Sequence, residues 1–258
     1  MRLLVLLTAI AMPVVAWLSQ TGAFGPDNAT VSARYPTLLI AAGYAFSIWG
    51  LIFLLDLGYA VWQATGARRR DDTVARIAPW AAAGFLLTCA WMPLFAQGWF
   101  WLCVLVIFAA AACLIRCAAI LSDDRTPQAG QWQWAWLPLS LHAGWLSLAA
   151  FLNLAQAIVA YRLADTARQL PWSLVLYALA AALLLAVNRR MRGNVDYVIA
   201  AVWALVAVYV QQSDSAMAGA GVAAWLALAI AAGLVLQTLW LRRRFPGGLL
   251  PNPARAPD

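Results

Sequence analysis

Eight apolar runs, each near the length that crosses a bilayer, divide the chain: Leu3–Ser19, Leu38–Gln63, Ile77–Ala96, Trp99–Leu121, Trp134–Tyr161, Pro171–Asn188, Val195–Gln211 and Val222–Leu241. A helix rises about 1.5 Å per residue, so roughly 20 residues traverse the hydrocarbon layer. Lipid offers the backbone no hydrogen bonds, so each run must satisfy its own amides as a helix. With 65% hydrophobic and 10% charged residues, too little polar surface remains to dissolve the chain in water. The expectation is an all-α polytopic membrane helical bundle with eight transmembrane helices. Pro13, Pro93 and Pro138 fall inside the runs, which a bundle tolerates when neighbouring helices take up the freed carbonyl.

The charges give the topology. All 17 basic residues are Arg and all 10 acidic residues are Asp, a usage that with abundant Ala fits a GC-rich bacterial genome. A net charge of +7 would suit nucleic acid on a soluble face. Here the arginines cluster in short loops between the runs, where they orient a membrane protein. With the N-terminus in the cytoplasm, 14 of them, among them Arg2, Arg68, Arg116, Arg189 and Arg244, fall on the cytoplasmic side. Only Arg34, Arg162 and Arg168 fall outside. Both termini are therefore expected in the cytoplasm, the protein in a bacterial inner membrane, its partner the lipid bilayer and no nucleic acid. The start, Met1 to Leu7 followed by Val14-Val15-Ala16, has the elements of a cleavable signal. Its apolar run continues to Leu18, so a retained first helix is the simpler expectation. The tail from Phe245 to Asp258 is rich in Pro and Gly and is expected to be disordered. Cys89, Cys103, Cys113 and Cys117 lie inside runs without a C-x-x-C pair, which favours buried small hydrophobes over a disulfide framework or a metal site.

The 15 tryptophans fall into two groups. Trp62, Trp80, Trp132, Trp134, Trp136 and Trp240 belong near the cytoplasmic boundary, and Trp17, Trp99, Trp101 and Trp172 near the outer one, where indoles anchor helices at the headgroup level. Trp49, Trp91, Trp145, Trp203 and Trp225 lie within the runs, where anchoring does not account for them.

Three of these sit in patterned stretches. The second run reads Ala45-Phe46-Ser47-Ile48-Trp49-Gly50-Leu51-Ile52-Phe53, the third Thr88-Cys89-Ala90-Trp91-Met92-Pro93-Leu94-Phe95, and the fifth Pro138, Gly144-Trp145, Ala149 and Leu152-Asn153. Together they resemble the TspO/MBR family, the tryptophan-rich sensory proteins related to the mitochondrial translocator protein. That family carries W-x-x-x-Y/F in its second helix, N-x-x-W-x-P-x-F in its third, and a Trp ahead of a Leu-Asn pair in its fifth. Thr88 stands where the family has Asn. Val159 and Tyr161 fit the family's sterol-recognition pattern, but Arg162 follows Tyr161 without a spacer. The resemblance covers residues 1–161 as a five-helix module, leaving 162–244 as three additional transmembrane helices and 245–258 as the tail.

The resemblance implies a membrane receptor or sensor that binds porphyrin-like or other flat apolar ligands and moves them. Trp49, Phe53, Trp91, Phe95, Trp145, Ala149 and Asn153 would be its ligand-binding residues. By depth, Trp49, Trp91, Trp145 and Asn153 lie at or outside the midplane, beneath the loop 20–37. Flat aromatic walls with one or two polar groups suit a flat, apolar ligand; packing between helices is the alternative reading of the same residues. No motif requires a cofactor, and a porphyrin or haem-type molecule enters only as a ligand. Enzymatic breakdown of bound porphyrin is an alternative that the resemblance permits, although the loop 20–37 lacks the Trp that the family has there.

Asp56, Arg116 and His142 form a second, intramembrane polar cluster closer to the cytoplasmic side. Ionisable groups at such depth are costly and are usually paired. Asp56 with Arg116 is the expected pair, and His142, the single histidine, is expected to be a satisfied interior residue rather than a haem ligand. A small-solute transporter using the three as a relay is a further alternative, although no inverted repeat is evident. The last three runs, with small-residue stretches at Ala178–Ala182 and Ala216–Val222, read as a scaffold or a homo-oligomer face.

Overall fold

The computed structural model describes residues 1–244, among which nine α-helices form. They are α1 (Arg2–Gln20), the short α2 (Asn28–Ala33), α3 (Ile48–Gln63), α4 (Asp72–Ala96), α5 (Phe100–Ser122), α6 (Leu137–Ala160), α7 (Leu170–Arg190), α8 (Val195–Ser213) and α9 (Ala220–Arg244). All but α2 are long and apolar enough to cross a membrane, giving eight candidate spans, and no strand occurs among the described residues. The expected disordered tail lies outside the described residues.

Tethers between the helix ends sort the charges. At one end, Arg2 donates to the Val74 carbonyl (2.8 Å) and to Gln63 Oε1 (3.1 Å), Gln128 Nε2 donates to Asp71 Oδ2 (3.0 Å), and Arg190 donates to Asp123 Oδ2 (2.6 Å). The Arg190 guanidinium holds the exposed Asp123 carboxyl below the usual carboxylate range. At the other end, Gln97 donates to the Phe24 carbonyl (2.5 Å) and Gln169 to the Pro36 carbonyl (3.1 Å). Arginines crowd the first end, as the alternation of spans requires.

α6 lies at the centre, packed against α5, α8, α7 and α3. Its polar residues Ser140, His142, Ser147, Asn153 and Gln156 are all buried, so they face protein rather than lipid. α1 lies against α4 and α3 through Val5, Ala9 and Met12. α8 joins the last three helices to the centre. At the α6–α8 crossing Gly144 faces the Tyr197 carbonyl so closely that any Cβ would collide with it. α9 then packs on α8 through Ala220, Ala223, Ala224 and Ala227, so that part of the small-residue surface is consumed within the chain.

Several details depart from the sequence expectation or add to it. The second run is not helical from Leu38: residues 38–42 enter without helix, and a 3₁₀ turn (Gly43–Ser47) leads into α3. Other helices satisfy this non-helical backbone, which is the condition for irregular chain inside a membrane protein. Tyr177 Oη donates to the Leu38 carbonyl (2.8 Å), Gln212 Nε2 to the carbonyls of Thr37 and Ile40 (3.1 and 3.2 Å), and the Ala42 amide to the Ala207 carbonyl (2.9 Å). Trp62 and Trp136 are buried rather than at the lipid boundary, Trp62 beneath the Arg68 guanidinium. Trp203 donates to the Ala45 carbonyl (3.2 Å), closing the 3₁₀ turn, while Trp225 is 68% exposed on the outer face of α9. Pro138 falls inside the continuous span Trp132–Ala160, as expected, just after a π-type turn (Trp132–Trp136).

The Gly144 crossing yields a direct test. Gly144→Ala must push α6 from α8, and overpacking of this kind costs about 1–3 kcal/mol. Thermal unfolding in detergent should show a lower midpoint for Gly144→Ala. Gly50→Ala, where a Cβ meets nothing within 4 Å, should leave it unchanged or raised.

Candidate functional site

Helical spacing brings the patterned aromatics into register. Trp49 and Phe53, one turn apart on α3, stack at 5.2 Å, and Trp91 and Phe95, one turn apart on α4, stack at 4.8 Å. Trp145, Ala149, Asn153 and Gln156 recur on one face of α6. Trp145 meets Trp49 edge-on at 5.9 Å and Phe46 at 6.3 Å. Trp91 Nε1 donates to Asn153 Oδ1 (3.0 Å), binding α4 to α6.

These residues enclose an apolar cavity of about 30 Å³. Trp49, Trp91, Phe95, Trp145, Ala149 and Asn153 all line it; Phe53 does not, and stands behind Trp49. Such a space holds a water or two. The loop 20–37, expected above the site, contributes Ser32 of α2 to its roof; Ile40 and Ala41 of the non-helical segment and Phe46 of the 3₁₀ turn are roof residues that sequence reasoning missed. No periodicity marks these positions. Gln156, also missed, had a visible signal as a polar residue three positions beyond Asn153 in an apolar run. Its Nε2 donates to Ser32 Oγ (2.7 Å) and so holds α2 down.

Asp27 sets α2 in place. Its carboxylate accepts from the amides of Ala29 and Thr30 (2.9 and 3.0 Å) and from Thr30 Oγ1 (2.6 Å). The Thr30 hydroxyl leads in holding this carboxyl below its usual range, so the cap's contribution is complete above the ordinary carboxylate pKa and fades only as pH falls through the lowered value.

The cavity lining also holds unpartnered donors. Trp49 Nε1, Trp145 Nε1 and Asn153 Nδ2 are buried without a hydrogen-bond partner among the described residues. Each such group costs about 1–3 kcal/mol.

Beneath Trp49 lies the polar cluster, in a pairing other than the expected one. Asp56 Oδ2 faces His142 Nδ1 at 2.8 Å, with both side chains fully buried. Arg116 takes no part: it is exposed on α5, opposite the buried face of Leu114, Cys117 and Ala118, where its long stem carries the charge toward the membrane boundary. The other imidazole nitrogen, Nε2, lies 3.4 Å from Thr88 Oγ1, whose hydroxyl also donates to the Gly84 carbonyl (2.9 Å). His142 stacks on Phe85 at 6.1 Å and meets Trp49 edge-on at 5.6 Å. With both nitrogens engaged and Trp49 between it and the cavity, His142 does not fit an axial haem ligand. Thr88, His142 and Asp56 stand in the order of a nucleophile relay, and Thr88 is not among the residues that line the cavity. Among the described residues no three His, Cys, Asp or Glu side chains gather as a metal site, and the four cysteines are unpaired.

The model of the TSPO-like protein family matches residues 2–240. The chain belongs to the TSPO-like family. The match continues past residue 161 through α7 and α8 and nearly to the end of α9. No curated protein and no solved structure matches the chain. In this family member Thr88, at the position where the sequence pattern has Asn, is the residue that meets His142.

Removing one partner of a buried pair strands the other and costs roughly 3–5 kcal/mol, whereas replacing both with apolar residues is often neutral. Asp56→Leu and His142→Leu should each lower the unfolding midpoint in detergent strongly, and the double variant should recover most of the loss. Additive losses in the double variant would contradict the pairing.

Proposed function

We propose that this TSPO-like membrane protein is a receptor or sensor in a bacterial inner membrane. It takes a flat, apolar, porphyrin-like ligand between α3, α4 and α6, and it can pass that ligand on. One observation carries this reading: Trp49, Trp91 and Trp145, from three different helices, converge on one cavity whose lining residues hold three buried, unpartnered N–H donors. A ligand with a broad apolar ring and acceptor groups at its edge replaces aromatic packing with stacking and supplies the missing acceptors. A porphyrin with its carboxylates has that chemistry.

The closed cavity holds far less than such a ring, so binding requires the roof to lift. Side chains tie it down at several points: Gln97 to Phe24, Gln156 to Ser32, Gln169 to Pro36, Tyr177 to Leu38, and Gln212 to Thr37 and Ile40. All but the Gln97 tie, which joins the loop to the end of α4, come from α6, α7, α8 or the residue just before α7. Binding is therefore expected to be slow and to rearrange the loop.

A second reading, proton-coupled transport, rests on the Asp56–His142 pair directly beneath Trp49. Intramembrane ionisable pairs mark proton paths in many transporters. Arg116 has no place in it.

Tryptophan emission of the purified protein should be quenched by protoporphyrin at micromolar concentration, and Trp145→Phe should weaken the affinity by about tenfold, the value of one aromatic contact. Absence of quenching in the wild type would sink the ligand-binding reading. For the second reading, proteoliposomes carrying Asp56→Asn should lose pH-gradient-driven porphyrin uptake while keeping the quenching; uptake equal to wild type would exclude coupling through this pair.

A further inference from the structure

A different cavity, of about 550 Å³, opens between α7 and α9 at the arginine-rich end. Arg189, Arg190, Arg192 and Arg244 border it, with Trp240 and Leu241 as its apolar wall. Asp123 accepts two hydrogen bonds from Arg190 (2.6 and 3.1 Å) and lies 3.7 Å from Arg192. Asp123 thus pairs with two of the four guanidinium groups, Arg190 and Arg192, and like charges around one hollow repel. The chain nonetheless holds them together. Arg192 adopts a left-handed backbone (φ 58°), unusual for a residue with a side chain. The helix dipole accounts for arginines in the last turn of α7. It does not account for Arg244 arriving from another helix, or for the space between them.

The surface leading away from this cavity is apolar and faces outward. Leu236, Trp240 and Arg244 recur at four-residue spacing along α9, with Leu236 66% and Trp240 47% exposed. The Arg244 guanidinium lies over the Trp240 ring, 4.1 Å from its centroid. Going from the middle of the membrane to its boundary, this stripe presents an aliphatic side chain, an indole and a cation, which is the order of a phospholipid's own chain, interface and phosphate.

We propose that the α7–α9 cavity binds the headgroup of an anionic phospholipid from the leaflet on the arginine-rich side. Its phosphate takes charge-assisted hydrogen bonds from Arg189 and Arg244, which flank the pair already held by Asp123, and its acyl chains lie along Leu236 and Trp240. The site is separate from the aromatic cavity and does not depend on it. On the other flank of α9, a groove of about 600 Å³ between α8 and α9 has a single arginine, Arg242. That groove suits an acyl chain without selecting a headgroup, and it supplies the control.

The test uses the full chain in nanodiscs of phosphatidylcholine mixed with phosphatidylglycerol of the same acyl chains, with retained lipid counted by native mass spectrometry after release into detergent. The wild type should retain phosphatidylglycerol over phosphatidylcholine. Arg189→Gln with Arg244→Gln should cut that preference by about tenfold. Arg242→Gln with Arg243→Gln removes the same charge and should keep it, as should Arg189→Lys with Arg244→Lys. Equal loss in both Gln pairs would reduce the effect to general positive charge at this end and overturn the site. No preference in the wild type, or loss of preference in the Lys pair, would overturn it as well.

Discussion

The backbone of residues 36–42 cannot be left unsatisfied inside a membrane protein, and much of the architecture follows from that constraint. A non-helical stretch of chain in a dry interior exposes carbonyls and amides that cost several kcal/mol each in hydrocarbon. Here the partners come from side chains and backbone far away in sequence: Gln169 takes Pro36, Tyr177 takes Leu38, Gln212 takes Thr37 and Ile40, and Ala207 takes the amide of Ala42. All four partners belong to α7, α8 or the residue just before α7. Two of the last three helices, α7 and α8, are thus what permits an irregular roof over the aromatic cavity. A family match that extends through them accords with this dependence.

The same economy runs through α6. One helix contributes the cavity wall through Trp145, Ala149 and Asn153, the roof tie through Gln156, the buried pair through His142 and the α8 contact through Gly144. These residues lie on faces that meet α3, α4, α8 and the loop, so a shift of α6 along its axis would disturb all of them. The cavity residue Trp49 also meets the Asp56–His142 pair, its ring edge-on to both Trp145 and the imidazole. A change of charge on the pair therefore acts on a cavity residue at van der Waals range, without any intervening chain of contacts.

Helix number, the crowding of arginines at one end and the convergence of Trp49, Trp91 and Trp145 were all legible in the sequence. Length, hydropathy and charge alternation are properties of single segments, and a family pattern supplied the aromatic positions. What was not legible depended on which face of a helix meets which neighbour. Arg116 and Asp56 lie at similar depth, and depth alone makes them a natural pair. The rotation of α5 turns Arg116 outward, and the rotation of α6 turns His142 in. Trp62 and Trp136 sit at boundary positions along their helices yet point inward, where Trp62 takes up Arg68. The roof was hidden for a different reason. Residues 38–42 are apolar enough to read as the start of a helix, and only the polar groups of Tyr177 and Gln212, more than a hundred residues later, make another conformation affordable.

The closed cavity and its free donors belong together energetically. Trp49, Trp145 and Asn153 each keep a buried N–H without a partner, while the roof is held by a few hydrogen bonds, each worth about 0.5–1.5 kcal/mol net. The unmet donors destabilise the closed state by an amount comparable with the ties that maintain it. Under the proposed function, a ligand that satisfied the donors while its ring replaced the aromatic contacts would shift that balance toward an open form. An apolar ligand without acceptors would have to break the roof ties and leave the donors unmet. If the proposed function holds, selectivity would rest less on the aromatic walls, which accept any flat ring, than on the three unpartnered N–H groups of the lining residues.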